Sequence, residues 1–286
     1  MNSKHMRRLC GENLYHHVYA WGNDRHPTFK EENHYELYLN LLEKSSKKFD
    51  IDVIAYALMQ WHVHLFIFDH FNKISKFMEE LHGKYAILFN KETGSVGHVF
   101  GERFNNKIVQ PNDYGLYLSS YIHRQAVEAR LVVDPKDYPW TSYRQYIGLE
   151  PIRFIKPQVI LEQFGDYVDF KKVARAYQEF VLNAGKDIKD WDDFKSPIVG
   201  TFGFVESLRK KLGVKVNQNY DKDELLSAIS NELNISTEML LNPLGLKQRQ
   251  FRRKAINILI KDYDLKISEV ARILKISRYT VMRNMD

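Results

Sequence analysis

The chain has 286 residues, a net charge of +6 and one cysteine, Cys10. That length admits two domains or one large one, and a lone cysteine excludes an internal disulfide or a cysteine-built zinc site. No apolar run approaches the length that crosses a bilayer, so no membrane contact is expected.

Met1 to Arg8 is polar and basic with no apolar stretch behind it, which predicts no secretory signal and fits a reducing, cytoplasmic setting. Asn13 to Trp21 is rich in aromatic and β-branched residues and predicts a first strand, ended by Gly22-Asn23-Asp24-Arg25. Glu31 to Phe49 carries Tyr35, Tyr38, Leu39 and Leu42 near helical spacing. Ile51 to Met59 and His62 to Phe68 predict two strands around Gln60-Trp61, a hairpin with poor turn chemistry or one bent strand. Ile74 to Asn90 predicts a helix, His98 to Val109 short strands, and Pro111 to Gln125 a helix. This alternation suits an α+β fold, a ferredoxin-like antiparallel sheet with helices on one face.

Asp134 to Tyr146 predicts an ordered wrap-around segment, and Gly148 to Pro157 a boundary. Beyond it the pattern is mainly α-helical, broken by a linker at Asp187 to Pro197. The expected division is therefore 1–150, 151–240 and 241–286. From Leu244 onward eleven lysines and arginines stand against four acids, a net +7 that leaves the rest of the chain near neutral. By charge, this last segment is the expected phosphate binder.

The candidate chemistry centres on His62-Val63-His64. Residues i and i+2 of a strand share a face, so the two imidazoles would project side by side, as a divalent metal site requires. Alone, the pair reads first as a strand with two satisfied histidines near a surface. Tyr121 and Gln125 lie four apart on the helix that ends this region, hence on one helical face. If that face packs over the strand, His62, His64 and the Gln125 amide oxygen could hold a metal with open positions for phosphate, and Tyr121 could attack phosphorus. From spacing alone Tyr121 reads first as a core residue of an amphipathic helix. His16, His17, His98 and His123 could line such a site, but spacing does not separate that from structure.

Across Leu14 to Gly148 the chain resembles the single-tyrosine HUH transposases, most closely their REP-associated tyrosine transposase branch. The resemblance rests on Gly22-Asn23-Asp24-Arg25 with Phe29, Tyr56-Ala57-Leu58-Met59 leading to His62-Val63-His64-Leu65, and Gly97-His98-Val99-Phe100 with Arg103. It continues through Tyr121-Ile122-His123-Arg124-Gln125 and Tyr138-Pro139-Trp140-Thr141-Ser142-Tyr143-Arg144. It implies a metal held by His62, His64 and Gln125, Tyr121 as nucleophile, and single-stranded or hairpin DNA cut to a 5′-phosphotyrosine and a free 3′-OH. Gln60-Trp61 and Gln125-Ala126 stand where this branch usually has Pro-Asn and Asn-Pro. Mg²⁺ or Mn²⁺ is expected over Zn²⁺, because the donor set lacks thiolates and must admit phosphate oxygens. Related transposases can act as homodimers.

Arg25, Arg103 and Arg124 are candidate phosphate contacts, since a planar guanidinium matches phosphate oxygens. Ile267 to Val281 resembles a helix-turn-helix, with Ser277 capping a second helix whose Arg278, Tyr279, Thr280 and Arg283 would face a duplex groove. Lys275 stands where glycine is common in such turns. The expectation is a transposase-like, metal-dependent single-strand endonuclease and strand transferase. The alternative is a non-catalytic nucleic-acid-binding regulator that retains the fold.

Overall fold

The computed structural model describes residues 8–23, 26–183, 196–213, 222–262 and 265–285. The chain divides into two compact units, Met1–Val199 and Gly200–Asp286. The first opens with β1 (Leu14–Trp21), α1 (Glu32–Phe49), the hairpin β2 (Ile51–Met59) and β3 (His62–Asp69), α2 (Ile74–Thr93), β4 (Asn105–Val109) and α3 (Asp113–Glu128). The predicted elements stand within a few residues of these bounds. The sheet order is β2-β3-β1-β4-β5, β5 being Ile198–Val199. The four longer strands pair antiparallel, and β5 joins β4 in parallel. A two-residue strand has no readable periodicity. It forms because the outer edge of β4 carries backbone groups that Pro197 and Val199 satisfy, with Ile198 and Val199 buried. The predicted linker falls mostly outside the described residues. Between His98 and β4 the expected strands reduce to one bridge, Phe100 with Gly22.

The hairpin turn Gln60-Trp61 succeeds without favourable turn residues because other backbone satisfies it. The Gln60 carbonyl accepts from the N–H groups of Thr28 and Phe29 at 2.8 and 3.2 Å, and the Trp61 carbonyl from Gly22 at 2.8 Å. Gly22 must be glycine here: a Cβ would sit 2.5 Å from the His26 carbonyl oxygen. The Gly22 motif therefore clamps the tip of the strand pair that carries His62. At the other end, buried Asp69 accepts from the N–H groups of Phe71, Lys73 and Ile74, joining β3 to the start of α2.

Register assigns the faces. Tyr19 opposes His64 and Trp21 opposes His62, so His17, Tyr19 and Trp21 of β1 share a face with His62, His64 and Phe66 of β3. The other face carries His16, Val18, Ala20, Val63, Leu65 and Ile67, all buried. The outer edge of β2 is covered by the Pro139–Tyr143 stretch, with Leu58 N–H bonded to the Trp140 carbonyl and Ser142 N–H to that of Tyr56. After α4 (Tyr143–Tyr146), and past residue 150, come α5 (Gln158–Leu161) and α6 (Phe170–Asn183). Ile155, Ile160, Leu161, Val173, Tyr177 and Val181 of this stretch are buried in the same core as the sheet.

The second unit contains α7 (Phe202–Leu212), α8 (Lys222–Glu232), α9 (Thr237–Leu241), α10 (Gly245–Asn257), a π-helical turn over Ile258–Asp262, α11 (Ile267–Ile273) and α12 (Arg278–Arg283). Its own core gathers Leu225, Ile229, Leu240, Leu259, Val270 and Val281. No described helix is long and apolar enough to cross a membrane.

Candidate active site

The site is built on the β1/β3 face and closed by α3. Asn112 caps α3 by accepting from the Tyr114 N–H. Gly115 in its first turn lets the helix approach closely, since a Cβ there would lie 3.3 Å from the Phe66 ring. With no side chain holding the helix off, Tyr121 and Gln125, nearly two and nearly three turns further along, come down beside the histidines.

His62 and His64 stand edge to face, ring centroids 5.0 Å apart. The Gln125 Oε1 lies 3.4 Å from His62 Nε2. The Gln125 amide N–H reaches back to the Tyr121 carbonyl at 3.4 Å, which turns the amide oxygen toward His62. The Tyr121 ring stands edge-on to His64 at 5.6 Å and to His17 at 6.1 Å. The structure thus brings together His62, His64, Tyr121 and Gln125, the four residues the sequence singled out. Tyr117, one turn before Tyr121, packs its ring against Phe180 of α6 instead.

Two further residues complete the cluster. His17 Nε2 is 3.0 Å from His64 Nδ1, with the two ring planes inclined by only 15°. Lys107 opposes His17 across β1 and β4, adding positive charge on that side of the sheet. Burial, reinforced by His17, His62 and Lys107, holds His64 well below the ordinary histidine value; burial, then Lys107, lowers His17 to about 3. Both imidazoles are therefore neutral near pH 7, the form that ligates metals. Register was the missing signal for both His17 and Lys107: their face is known only once β1 is aligned between β3 and β4.

The remaining candidates are dispersed. Arg103 is exposed on the segment before β4. Arg124 is engaged, bonding the Glu128 carboxylate at 2.9 Å and the Val181 carbonyl at 3.2 Å. Arg25 lies outside the described residues. In the second unit Arg278, Tyr279 and Arg283 are exposed on α12, whereas the Thr280 hydroxyl pairs with that of Ser277, the helix cap. His123 faces away from the site. Its Nδ1 is 2.7 Å from the Tyr177 hydroxyl and its Nε2 2.8 Å from Ser142 Oγ, a buried network tying α3 to α6. His98 is exposed, and His16 bonds Asn106 on the opposite sheet face.

Among the described residues no group of three or more His, Cys, Asp or Glu is placed to hold a metal. Two neutral imidazoles and an amide oxygen fit a divalent cation that keeps open positions for oxygen ligands. They would leave the cation's charge largely unneutralised, which favours an anionic substrate.

Two histidines on an interior strand of the sheet, and a tyrosine and a glutamine lowered onto them by one helix, thus form one cluster. Residues 10–125 match the family model described as "Transposase IS200 like". The match includes His62, His64, Tyr121 and Gln125. Among solved structures, the chain is similar to a REP-associated tyrosine transposase bound to a REP hairpin, at 15% identity over 53% of this chain and 89% of that one, TM-score 0.45. It is also similar to a candidate transposase from Deinococcus radiodurans, at 18% identity over 42% of this chain and 96% of that one, TM-score 0.30. No curated protein matches the sequence.

Proposed function

We propose that the first unit cuts and rejoins single-stranded DNA at hairpin-bearing sites through a covalent 5′-phosphate on Tyr121. The observation that carries this reading is the meeting of Tyr121 with His64, and of Gln125 with His62, at one point on the sheet. His62, His64 and Gln125 would hold Mg²⁺ or Mn²⁺, which supplies Lewis-acid polarisation of the phosphodiester. The Tyr121 oxygen bonds to phosphorus as the bond to the 3′ oxygen breaks; the phenol gives up its proton and the departing 3′ oxygen takes one up. The energy of the diester is retained in the phosphotyrosine, so the 3′-OH of the same or another strand can reverse the step. A free phenol ionises near pH about 10, so Tyr121 depends on its surroundings for activation. Trp21, 56% exposed, lies with its ring 4.3 Å from that of His62, and Trp61, 41% exposed, occupies the adjoining turn. Ring faces so placed suit unpaired bases, which supports a single strand over a duplex. Lys107 and Arg103 would contact phosphate. Arg278, Tyr279 and Arg283 of the second unit would contact duplex DNA.

The test uses end-labelled hairpin DNA with Mg²⁺ or Mn²⁺, resolved on a denaturing protein gel, with Tyr121→Phe beside the wild type. A labelled adduct that vanishes in the variant is the expected result. Binding with neither adduct nor cleavage across varied hairpins and both metals would favour a non-catalytic DNA-binding regulator. An adduct that persists in Tyr121→Phe would retain the enzyme and move its nucleophile.

A further inference from the structure

The contact between His17 and His64 has a consequence for the metal site. A hydrogen bond between two ring nitrogens carries one proton, and at 3.0 Å the two nitrogens are within bonding range. If His17 Nε2 donates, His64 is an acceptor at Nδ1. Its own proton then sits on Nε2, and neither nitrogen has a lone pair to offer. If His64 Nδ1 donates, its Nε2 carries a free lone pair. Only the second arrangement makes His64 a ligand. His17 and His64 are both buried, so water cannot replace either partner, and the ring planes, inclined by only 15° with centroids 5.2 Å apart, suit an in-plane N–H···N bond. His17 is also held by the sheet, mid-strand between β3 and β4.

We propose that His17 is the positioning residue of this site: it accepts the Nδ1–H of His64, fixing that ring's tautomer and plane so that Nε2 is presented as a ligand. The proposal rests on the metal reading above. A partner on the non-ligating nitrogen of a metal-binding histidine typically contributes about 10- to 100-fold in metal affinity.

The experiment labels histidine with ¹⁵N in the full chain and reads each ring's tautomer by two-bond ¹H–¹⁵N correlation near pH 7.5, first without metal. The same spectra are then taken with ¹¹³Cd²⁺, whose couplings identify ligating nitrogens, and Mn²⁺ affinity is measured by electron paramagnetic resonance. In the wild type, His64 is expected to be protonated at Nδ1 before metal is added, and Cd²⁺ to couple to Nε2 of His64 but to neither nitrogen of His17. His17→Phe keeps a flat ring but no acceptor; its His64 should move to the Nε2–H form and Mn²⁺ affinity should fall about 10- to 100-fold. His17→Gln offers an amide oxygen near the lost Nε2 and should recover most of that affinity, which a merely space-filling role would not require.

A wild-type His64 protonated at Nε2 would overturn the assignment, as would Cd²⁺ coupling to His17 or a His17→Phe protein binding Mn²⁺ as tightly as the wild type. The wild-type tautomer decides the matter even if His17→Phe fails to fold. A wild type that binds neither Cd²⁺ nor Mn²⁺ would overturn the metal reading itself. That result is distinct from one in which metal binds and only His17 is indifferent.

Discussion

Trp21 and His62 face each other across the β1–β3 pair, one ring half in solvent and the other within the cluster. Leaving a tryptophan so exposed sacrifices apolar burial, and its place beside a candidate ligand gives that exposure a use. Stacking of a base on an aromatic ring contributes about 1–3 kcal/mol. Trp21→Ala should therefore weaken binding of hairpin DNA with single-stranded flanks by roughly 5- to 150-fold, while Trp21→Phe stays close to the wild type. An abasic position scanned along the flank supplies the partner for a double-mutant cycle. At the position that stacks on Trp21, the two lesions together should cost little more than either alone. Strictly additive losses at every position would mean that Trp21 meets no base.

At the scale of elements, two turns do work that their composition alone does not suggest. The Gln60-Trp61 turn is stabilised from outside by Gly22, Thr28 and Phe29, so the hairpin tip bearing His62 is held by a segment more than thirty residues earlier in sequence. In the second unit, the turn between α11 and α12 requires a left-handed residue and has Lys275 there at φ 53°, with Ile276 N–H bonded to the Ala271 carbonyl. A non-glycine residue in this conformation costs about 1–2 kcal/mol, part of which glycine would return through the greater entropy of its unfolded chain. Lys275→Gly should thus stabilise the α11–α12 pair by about 0.5–1 kcal/mol. Hydrogen-exchange mass spectrometry of residues 265–285 is the measurement. Slower exchange in Lys275→Gly is expected, and faster exchange would show that the lysine side chain is needed there. Not all the basic residues of this unit remain available to phosphate, since the Arg252 guanidinium bonds the carbonyls of Leu240 and Leu241.

For the first unit as a whole, buried histidines link folding to pH. Burial lowers both His16 and His123 from the ordinary 6.5 to about 3. Below pH 6.5 the unfolded chain binds protons at these positions and the folded chain does not, until about pH 3. Their contribution is therefore fully present above pH 6.5 and is lost as the pH falls toward 3. Each such group gives a slope approaching about 1.4 kcal/mol per pH unit inside that window. The His123 network is neutral by construction. The Tyr177 hydroxyl donates to Ser119 Oγ, so Nδ1–H can donate to Tyr177, and Nε2 is then left to accept from Ser142 Oγ–H. Urea unfolding followed by tryptophan fluorescence should show stability falling steadily from pH 7 to pH 5, with His123→Gln shallower by about one proton. Stability that stays level over that interval would contradict the assignment.

The sequence by itself determined the local order of strands and helices, because period-two and helical patterns are properties of neighbouring residues. It also brought His62, His64, Tyr121 and Gln125 forward, two pairs whose spacing places each on one face of its own element. It could not show that the two faces meet. That depends on Gly115 letting α3 settle against Phe66, a contact between residues far apart in the chain. Nor could it separate His17 from His16, or assign Lys107 a side, because adjacent strand residues exchange faces with a one-residue change of register and only pairing sets the register. The same limit applied to β5 and to residues past 150, whose place in the first core follows from an open strand edge and an uncovered helix face that exist only after folding. Local chemistry was legible from neighbours along the chain; the constellation was decided by packing, which acts between residues that are neighbours only in space.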